Sequence, residues 1–189
     1  MTESTIPTRC GWVSADPLYI EYHDHEWGKP LHDEQQLFEF LLLEGFQAGL
    51  SWLTILKKRE NFRQAFDQFD YRIIAEYGEK KQAELLLNAG IIRNRLKISS
   101  ASVNALAFIK VQEEFGSFDH YIWSFVDFKP LQNKFEKLSD VPAKTALSDQ
   151  ISKDLKKRGF KFVGSTIIYA FMQAVGMVND HIKGCYCND

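Results

Sequence analysis

Cysteine and histidine residues, whose thiols and imidazoles are the ligands that Zn²⁺ prefers, lie near both ends of this 189-residue chain. His181 and Cys185 are separated by three residues, which places both side chains on one side of a helical turn. Cys10 and His23 have twelve residues between them and no recognisable local spacing. If all four residues bind one zinc ion, the site is closed and structural, and it joins the two ends of the chain.

Other assignments of these residues stay open on spacing alone. Cys187 and His25 compete for the third and fourth ligand positions, and ordinary free thiols with surface histidines would also explain the pattern. Three cysteines, an odd number, argue against a disulfide framework. Residues 1–7 lack the basic start and apolar segment of a secretory signal. Both observations predict a protein of the reducing cytoplasm.

A second candidate is a carboxylate on the apolar face of a predicted helix. Glu44 follows Leu37 and Leu41 at spacings of seven and three residues, so it points inward, whereas Glu39 can point to solvent. A buried carboxylate needs hydrogen-bond donors or a cation, because burial of an unpaired charge is costly. A helix cap or a buried ion pair would explain Glu44 without function. The functional alternative is a carboxylate that receives a polar or cationic ligand.

Aromatic side chains surround Glu44 and the first ligand pair in the sequence. Most aromatic residues belong to hydrophobic cores, but flat rings beside an inward carboxylate can stack on a base and attract a positively charged ring. The side chains concerned are Trp12, Tyr19, Tyr22, Trp27 and Trp52. Together with Glu44 they indicate a pocket for a flat, cationic ligand.

A third candidate is a glycine-bracketed turn between two predicted helices near the C-terminus. Gly159 and Gly164 allow a tight turn. The amides that follow Gly164, with Lys161 nearby, would suit one phosphate of a DNA backbone. An ordinary αα-hairpin is the alternative, since such turns are frequent in helical proteins.

The elements that must position these residues are predicted to be helices. Apolar residues recur mostly at helical spacing. Asp33 is the predicted cap of a helix that bends or breaks near Gly45 and Gly49, and Ser148 is the predicted cap of another. Residues 127–145 have few periodic positions and predict a long surface connection. We expect one compact all-α domain over residues 1–189, in one or two lobes.

Composition excludes a membrane-spanning protein, since no apolar run approaches the ~20 residues that a membrane helix needs. The net charge of −2 argues against indiscriminate binding to nucleic acid. Basic residues cluster at 57–59, 93–97 and 156–161. A basic face on a neutral protein, or solvated helix ends, would each explain these clusters.

Many short motifs occur in a fixed order along nearly the whole chain. They occupy residues 9–12, 16–19, 22–24, 26–28, 43–45, 47–52, 57–61, 89–93, 123–125, 155–164 and 178–181. Together they resemble the bacterial 3-methyladenine DNA glycosylase I family. Residues 127–144 carry no family signature, and we expect them to touch no proposed site.

The resemblance implies an all-α member of the helix-hairpin-helix glycosylase superfamily, with a structural Zn²⁺ joining the N- and C-terminal segments. The implied ligands are Cys10, His23, His181 and Cys185. The implied base pocket consists of Trp12, Tyr19, Tyr22, Trp27, Glu44 and Trp52. In it Glu44 and Tyr22 would hydrogen-bond the base, and Trp52 would stack on it. The implied phosphate-binding hairpin contains Gly159, Lys161 and Gly164.

The implied reaction is hydrolysis of the N-glycosidic bond of 3-methyladenine in alkylated double-stranded DNA, by a monomer that releases the free base. Because methylation at N3 makes the attached base cationic, Glu44 is expected to supply recognition and electrostatic stabilisation rather than a proton. Asp180 is expected to support His181 or a helix end, not to act as a catalytic aspartate. No lysine is marked as a nucleophile, so no strand-cleaving step is expected.

Two rival functions remain. One is a zinc hydrolase, in which water holds one ligand position and Glu44 acts as the base. The other is a noncatalytic protein that binds damaged DNA through the pocket and the hairpin.

Overall fold

The computed structural model describes residues 7–188 and consists mainly of helices. Within this range the α-helices are α1 (Pro17–His25), α2 (Glu34–Gln47), α3 (Trp52–Ala65), α4 (Tyr71–Ala75), α5 (Glu79–Leu87), α6 (Arg95–Phe115), α7 (Phe118–Ser124), α8 (Ala146–Lys157) and α9 (Ser165–Ala174). Two-residue strands β1 (Leu131–Gln132) and β2 (Val178–Asn179) pair in parallel. The predicted all-α class is confirmed, with one small parallel ladder added.

Helix α2 lies at the centre of the hydrophobic core, and residues 37–46 are all buried. Asp33 begins it as predicted, since its carboxylate accepts a hydrogen bond from the N–H of Gln36 at 2.9 Å. The break expected near Gly45 is wrong, because the helix runs through this residue, whereas the one expected near Gly49 is confirmed, because the helix ends at Gln47. Gly45 instead allows close packing: a Cβ there would lie 3.3 Å from the Cβ of Phe162.

The prediction that Glu39 points to solvent is wrong. The side chain is on α2 but only 4% exposed, and it accepts hydrogen bonds from Arg59 at 2.6 Å and from Arg63 at 3.1 Å. A helix that is apolar on all sides is buried on all sides, so α2 leaves no solvent face for this carboxylate. A basic face would need Arg59 and Lys97, which belong to two of the predicted basic clusters. Both side chains are buried as well.

Helices α8 and α9 pack against each other and are joined by residues 158–164. Helix α8 begins at the cap Thr145 rather than at the predicted Ser148, which donates its N–H to the Thr145 hydroxyl at 3.1 Å. Gly159 has a φ of +96°, a value that favours glycine. Gly164 precedes α9 without any side-chain cap, so the first amides of α9 keep their hydrogen-bonding capacity for a ligand.

Residues 131–143, called the strap below, run along the C-terminal segment. Asn133 donates its N–H to the carbonyl of Asn179 at 3.1 Å, and Lys183 donates its N–H to the carbonyl of Phe135 at 2.9 Å. The predicted surface connection is therefore tied to the residues around β2. No helix within residues 7–188 is long and apolar enough to cross a membrane.

Candidate functional site

The four predicted metal ligands form one buried cluster. His23 lies on α1, Cys10 precedes this helix, and the other two follow β2 in a turn that is not helical. The Sγ of Cys185 lies 3.5 Å from His23 Nε2 and 3.5 Å from His181 Nδ1, and the Sγ of Cys10 lies 3.6 Å from the same Nδ1. Tetrahedral zinc with bonds of ~2.0–2.3 Å separates its ligand atoms by ~3.3–3.8 Å. The donor types and their spacing therefore fit one zinc ion.

Both imidazoles are oriented by the nitrogen that faces away from the cluster. His23 Nδ1 lies 2.7 Å from the carboxylate of Asp24, and His181 Nε2 lies 3.2 Å from the carbonyl of Trp27. The hydrogen bond from Arg9 holds the pKa of Asp24 below its usual range, so this carboxylate stays an acceptor. Such partners fix the tautomer and leave the other nitrogen free for a metal.

Burial disfavours charge within the cluster. It raises the pKa of the Cys10 thiol to about 12 and lowers the pKa of His181 to about 4. A metal cation would compensate by taking the thiols as thiolates and releasing their protons. The competitor His25 is exposed and pairs with Glu21 on the surface, whereas Cys187 lies close to His23.

A cavity of about 360 Å³ opens beside the cluster, within the ~300–1,000 Å³ range of small-molecule pockets. All the predicted pocket residues line it, namely Trp12, Tyr19, Tyr22, Trp27, Glu44 and Trp52. Cys10 lines it too, and the Trp27 ring packs edge-on against the ring of His181 with centroids 4.7 Å apart. The metal cluster and the cavity therefore share a wall.

Glu44 is an acidic residue at the base of this cavity. It is 4% exposed, and burial raises its pKa to about 8. No hydrogen-bond donor or cation among residues 7–188 contributes to that shift. Burial also raises the pKa of Tyr19 and that of Tyr22, with a further contribution from Glu44, so both phenols are neutral donors. The cavity thus holds a carboxyl group that burial keeps neutral, and a cationic ligand would favour its charged form.

The rings beside Glu44 are supported from behind. Trp52 lies with its centroid 5.5 Å from that of Tyr22, and it stacks on Phe40 at 6.4 Å with an interplanar angle of 20°. Arg59 lies over the far side of Phe40, at 4.9 Å, and is anchored by two carboxylates. The Nε1–H of Trp52 is buried without a partner among residues 7–188, so this ring retains an unused donor.

The predicted phosphate-binding hairpin lies at the start of α9. The backbone of Lys161 is fixed by Asn104 on α6, whose side-chain amide accepts from the Lys161 N–H at 2.7 Å and donates to its carbonyl at 3.1 Å. Phe162 has a φ of +56° and contacts Gly45 on α2. The hairpin is therefore held against the helix that carries Glu44.

Sequence reasoning missed more than half of the residues that line the cavity, and the expectation that residues 127–144 touch no proposed site is wrong. The strap reaches the cavity because β1 pairs with β2, which a sequence pattern does not reveal. The additional lining residues are Gln47, Leu138, Val141, Pro142, Ala143, Thr166, Tyr169, Ala170, Gln173, Asp180 and Ile182. Those on α9 recur at spacings of three and four residues, a helical periodicity that could have predicted that they share one face.

Asp180 does not support His181 as expected. It is 1% exposed and accepts hydrogen bonds from the Tyr169 hydroxyl at 2.5 Å, from Gln173 at 2.8 Å and from Asn133 at 2.8 Å. His181 bonds the backbone instead. Asp180 thus joins α9 to the strap.

Known proteins resemble this chain in sequence and in fold. DNA-3-methyladenine glycosylase 1 of Escherichia coli (strain K12) is 54% identical over 179 residues, which cover 95% of this chain and 96% of that protein. DNA-3-methyladenine glycosylase of Haemophilus influenzae (strain ATCC 51907 / DSM 11121 / KW20 / Rd) is 49% identical over 182 residues, which cover 96% and 98%. The structure of 3-methyladenine DNA glycosylase I from Staphylococcus aureus, described as the structural basis of 3-methyladenine recognition, superposes with a TM-score of 0.93 at 38% identity and covers 96% of both chains. The methyladenine glycosylase family matches residues 12–188, and the chain belongs to this family.

Proposed function

We propose that this protein is a DNA repair glycosylase that hydrolyses the N-glycosidic bond of 3-methyladenine in alkylated double-stranded DNA. The observation that carries the proposal is Glu44, buried without a cation at the base of an aromatic cavity. A base methylated at N3 is cationic and flat, which matches this cavity in charge and shape. The relatives named above carry the same activity in their names.

In the proposed reaction the damaged nucleotide leaves the base stack and enters the cavity. Trp52 stacks on the base, while Glu44 and Tyr22 form hydrogen bonds with it. Trp12, Tyr19 and Trp27 complete the aromatic wall. The cationic base is already a good leaving group, so Glu44 acts through its charge, stabilising the base and the positive charge that develops on the sugar. The bond between the base and the sugar carbon breaks, and its electron pair moves to the base and neutralises it. Water adds to the sugar carbon and releases one proton to the solvent, which leaves an abasic site and free 3-methyladenine.

Contact with the DNA backbone is assigned to the hairpin. The uncapped amides after Gly164, with Gly159 in the turn and Lys161 exposed beside it, suit one phosphate and would position the duplex without reading its sequence. The contact between Phe162 and Gly45 sets the distance from this phosphate to the cavity.

The metal is assigned as one structural Zn²⁺ held by Cys10, His23, His181 and Cys185. When bound, it crosslinks the two terminal segments of a single domain, residues 1–189, which we expect to act as a monomer in the cytoplasm. Four protein ligands leave no position for a reactive water, which argues against a zinc hydrolase. The competing position of Cys187 is tested below.

The proposal is tested by incubating methylated duplex DNA with the protein and measuring released 3-methyladenine. Glu44→Gln should reduce excision, and Trp52→Ala should weaken binding of the free base. Unchanged values for both variants would contradict the pocket assignment. DNA binding without base release by the wild type would favour the alternative, a noncatalytic damaged-DNA-binding zinc protein.

A strand-cleaving lyase step is not part of the proposal. Such a step needs a lysine that forms a Schiff base with the sugar. Borohydride should therefore trap no covalent complex between the protein and DNA. A trapped adduct would contradict the monofunctional mechanism.

A further inference from the structure

The cavity lining has a second part besides the aromatic residues and Glu44. It is built from the strap and from α9, and the part that the strap supplies is apolar. The strap contributes Leu138, Val141, Pro142 and Ala143. Val141 is half-buried against the core, so its position is fixed more firmly than that of the exposed Leu138. An apolar surface in the same cavity as the recognition residues limits how much bulk a ligand can carry.

The strap is attached to the rest of the molecule near one buried carboxylate. Asp180 accepts from Asn133 of the strap with one oxygen and from Tyr169 and Gln173 of α9 with the other. All three donors are neutral, and they occupy both carboxylate oxygens. Asp180 also lines the cavity, but its acceptors are already engaged in holding two wall elements together.

We propose, on the basis of the function proposed above, that the strap is a specificity wall which limits the size of the N3 substituent on the bound purine, and that Asp180 is the positioning residue that docks it. The ligand class is a purine with a one-carbon alkyl group at N3. The aromatic wall and Glu44 recognise the cationic ring, and the strap rejects a longer alkyl chain by steric exclusion.

The test compares 3-methyladenine with 3-ethyladenine, both as lesions in duplex DNA and as free bases. One methylene in an apolar pocket changes discrimination by ~10–200-fold. Val141→Ala should therefore raise the ratio of ethyl to methyl excision, measured as kcat/KM, by about tenfold. The same shift should occur in the ratio of free-base dissociation constants. Ser139→Ala is the matched control, because Ser139 is an exposed strap residue outside the cavity lining.

Asp180→Asn keeps the size of the side chain but replaces one acceptor oxygen by a donor. A positioning role predicts that this variant also raises the ethyl to methyl ratio, mainly through KM. A catalytic role would lower kcat for both lesions equally and leave the ratio unchanged, and that result would overturn the assignment of Asp180.

The outcomes separate this proposal from the proposed function. If the wild type excises 3-methyladenine and Val141→Ala leaves both ratios unchanged, the specificity wall is wrong and the function stands. If the wild type binds free 3-methyladenine but excises none, the enzymatic function is wrong. The ratio of the dissociation constants of the two free bases then still tests whether the strap is a specificity wall. If it neither binds nor excises 3-methyladenine, both proposals are overturned.

Discussion

At the scale of single residues, the charge state of Glu44 links stability to function. Burial favours the neutral carboxyl, whereas a cationic base favours the carboxylate. In the protein without ligand, ionisation of the buried Glu44 carboxyl therefore destabilises the folded state as the pH rises. A binding site that is complementary to its ligand is often less stable than the same site with a neutral residue.

Glu44→Gln should make the unliganded protein more stable, increasingly so as the pH rises. The carboxyl of the unfolded chain has its ordinary pKa of 4.5, whereas burial raises the pKa of Glu44 in the folded protein to about 8. Between these values the folded wild type binds the extra proton, so its free energy of unfolding falls with rising pH by at most ~1.4 kcal/mol per unit. Glutamine does not titrate. Urea unfolding of both proteins from pH 4 to 9 measures the difference.

The matched control is Glu60→Gln, which changes an exposed carboxylate on α3. At the upper end of this range the gain in stability should be larger for Glu44→Gln than for this variant. A constant difference for Glu44→Gln over the whole range would contradict the raised pKa of Glu44.

Spacing within one helix was sufficient to place Glu44 inward, but it failed for Glu39 on the same helix. Periodicity describes a single buried stripe, and α2 is surrounded by other helices. The partners of Glu39 come from α3, and the sequence gives no local sign of that contact. The sequence identifies the polar residues of α2, but it does not identify the side chains that contact them.

At the scale of elements, helix α6 holds two loops in place. Lys97 donates to the carbonyls of Phe46 at 3.0 Å and Ala48 at 3.1 Å, at the end of α2, and burial lowers its pKa. Two turns further along, Asn104 holds the backbone of Lys161 in the hairpin. One helix face thus fixes the loop before Trp52 and the proposed phosphate site relative to each other.

Asn104→Ala should weaken DNA binding without changing affinity for the free base. It removes both hydrogen bonds to the Lys161 backbone and leaves a part-buried N–H and C=O without these partners, which should cost about 1 kcal/mol of stability. Lys161→Ala, by contrast, should leave the stability unchanged. It should reduce the slope of the logarithm of the DNA-binding constant against the logarithm of the salt concentration by about one. Fluorescence anisotropy with duplex DNA at several salt concentrations, together with free-base titration, separates the two effects.

Ser99→Ala, on the exposed side of α6, is the control for this comparison. If Asn104→Ala binds DNA as tightly as Ser99→Ala does, the hairpin does not depend on α6. The pair Asn104 and Lys161 is separated by 57 residues. The glycines predicted the hairpin from local rules, but its support depends on tertiary packing and could not be predicted from sequence alone.

At the scale of the whole molecule, the Cys and His cluster joins segments that are far apart in the chain. Cys10 and His181 lie 171 positions apart in the chain, and His23 and Cys185 lie 162 positions apart. A crosslink that closes a long loop reduces the entropy of the unfolded chain more than one that closes a short loop. The same cluster contacts Trp27 and includes Cys10, both of which line the cavity. Loss of a ligand should therefore act on folding first and on the pocket through geometry.

Cys185→Ala should lose bound zinc and unfold at a lower temperature. Loss of a structural metal is among the changes that lower the free energy of unfolding by more than about 4 kcal/mol. For a chain of this size each kcal/mol lowers Tm by ~2–4 °C, so we expect a fall in Tm of about 10 °C. Cys187→Ala should keep one zinc per chain and a Tm close to that of the wild type. Metal analysis of the purified variants and calorimetry measure both quantities. Zinc lost from Cys187→Ala but retained by Cys185→Ala would reverse the ligand assignment, since His23 could then pair with Cys187.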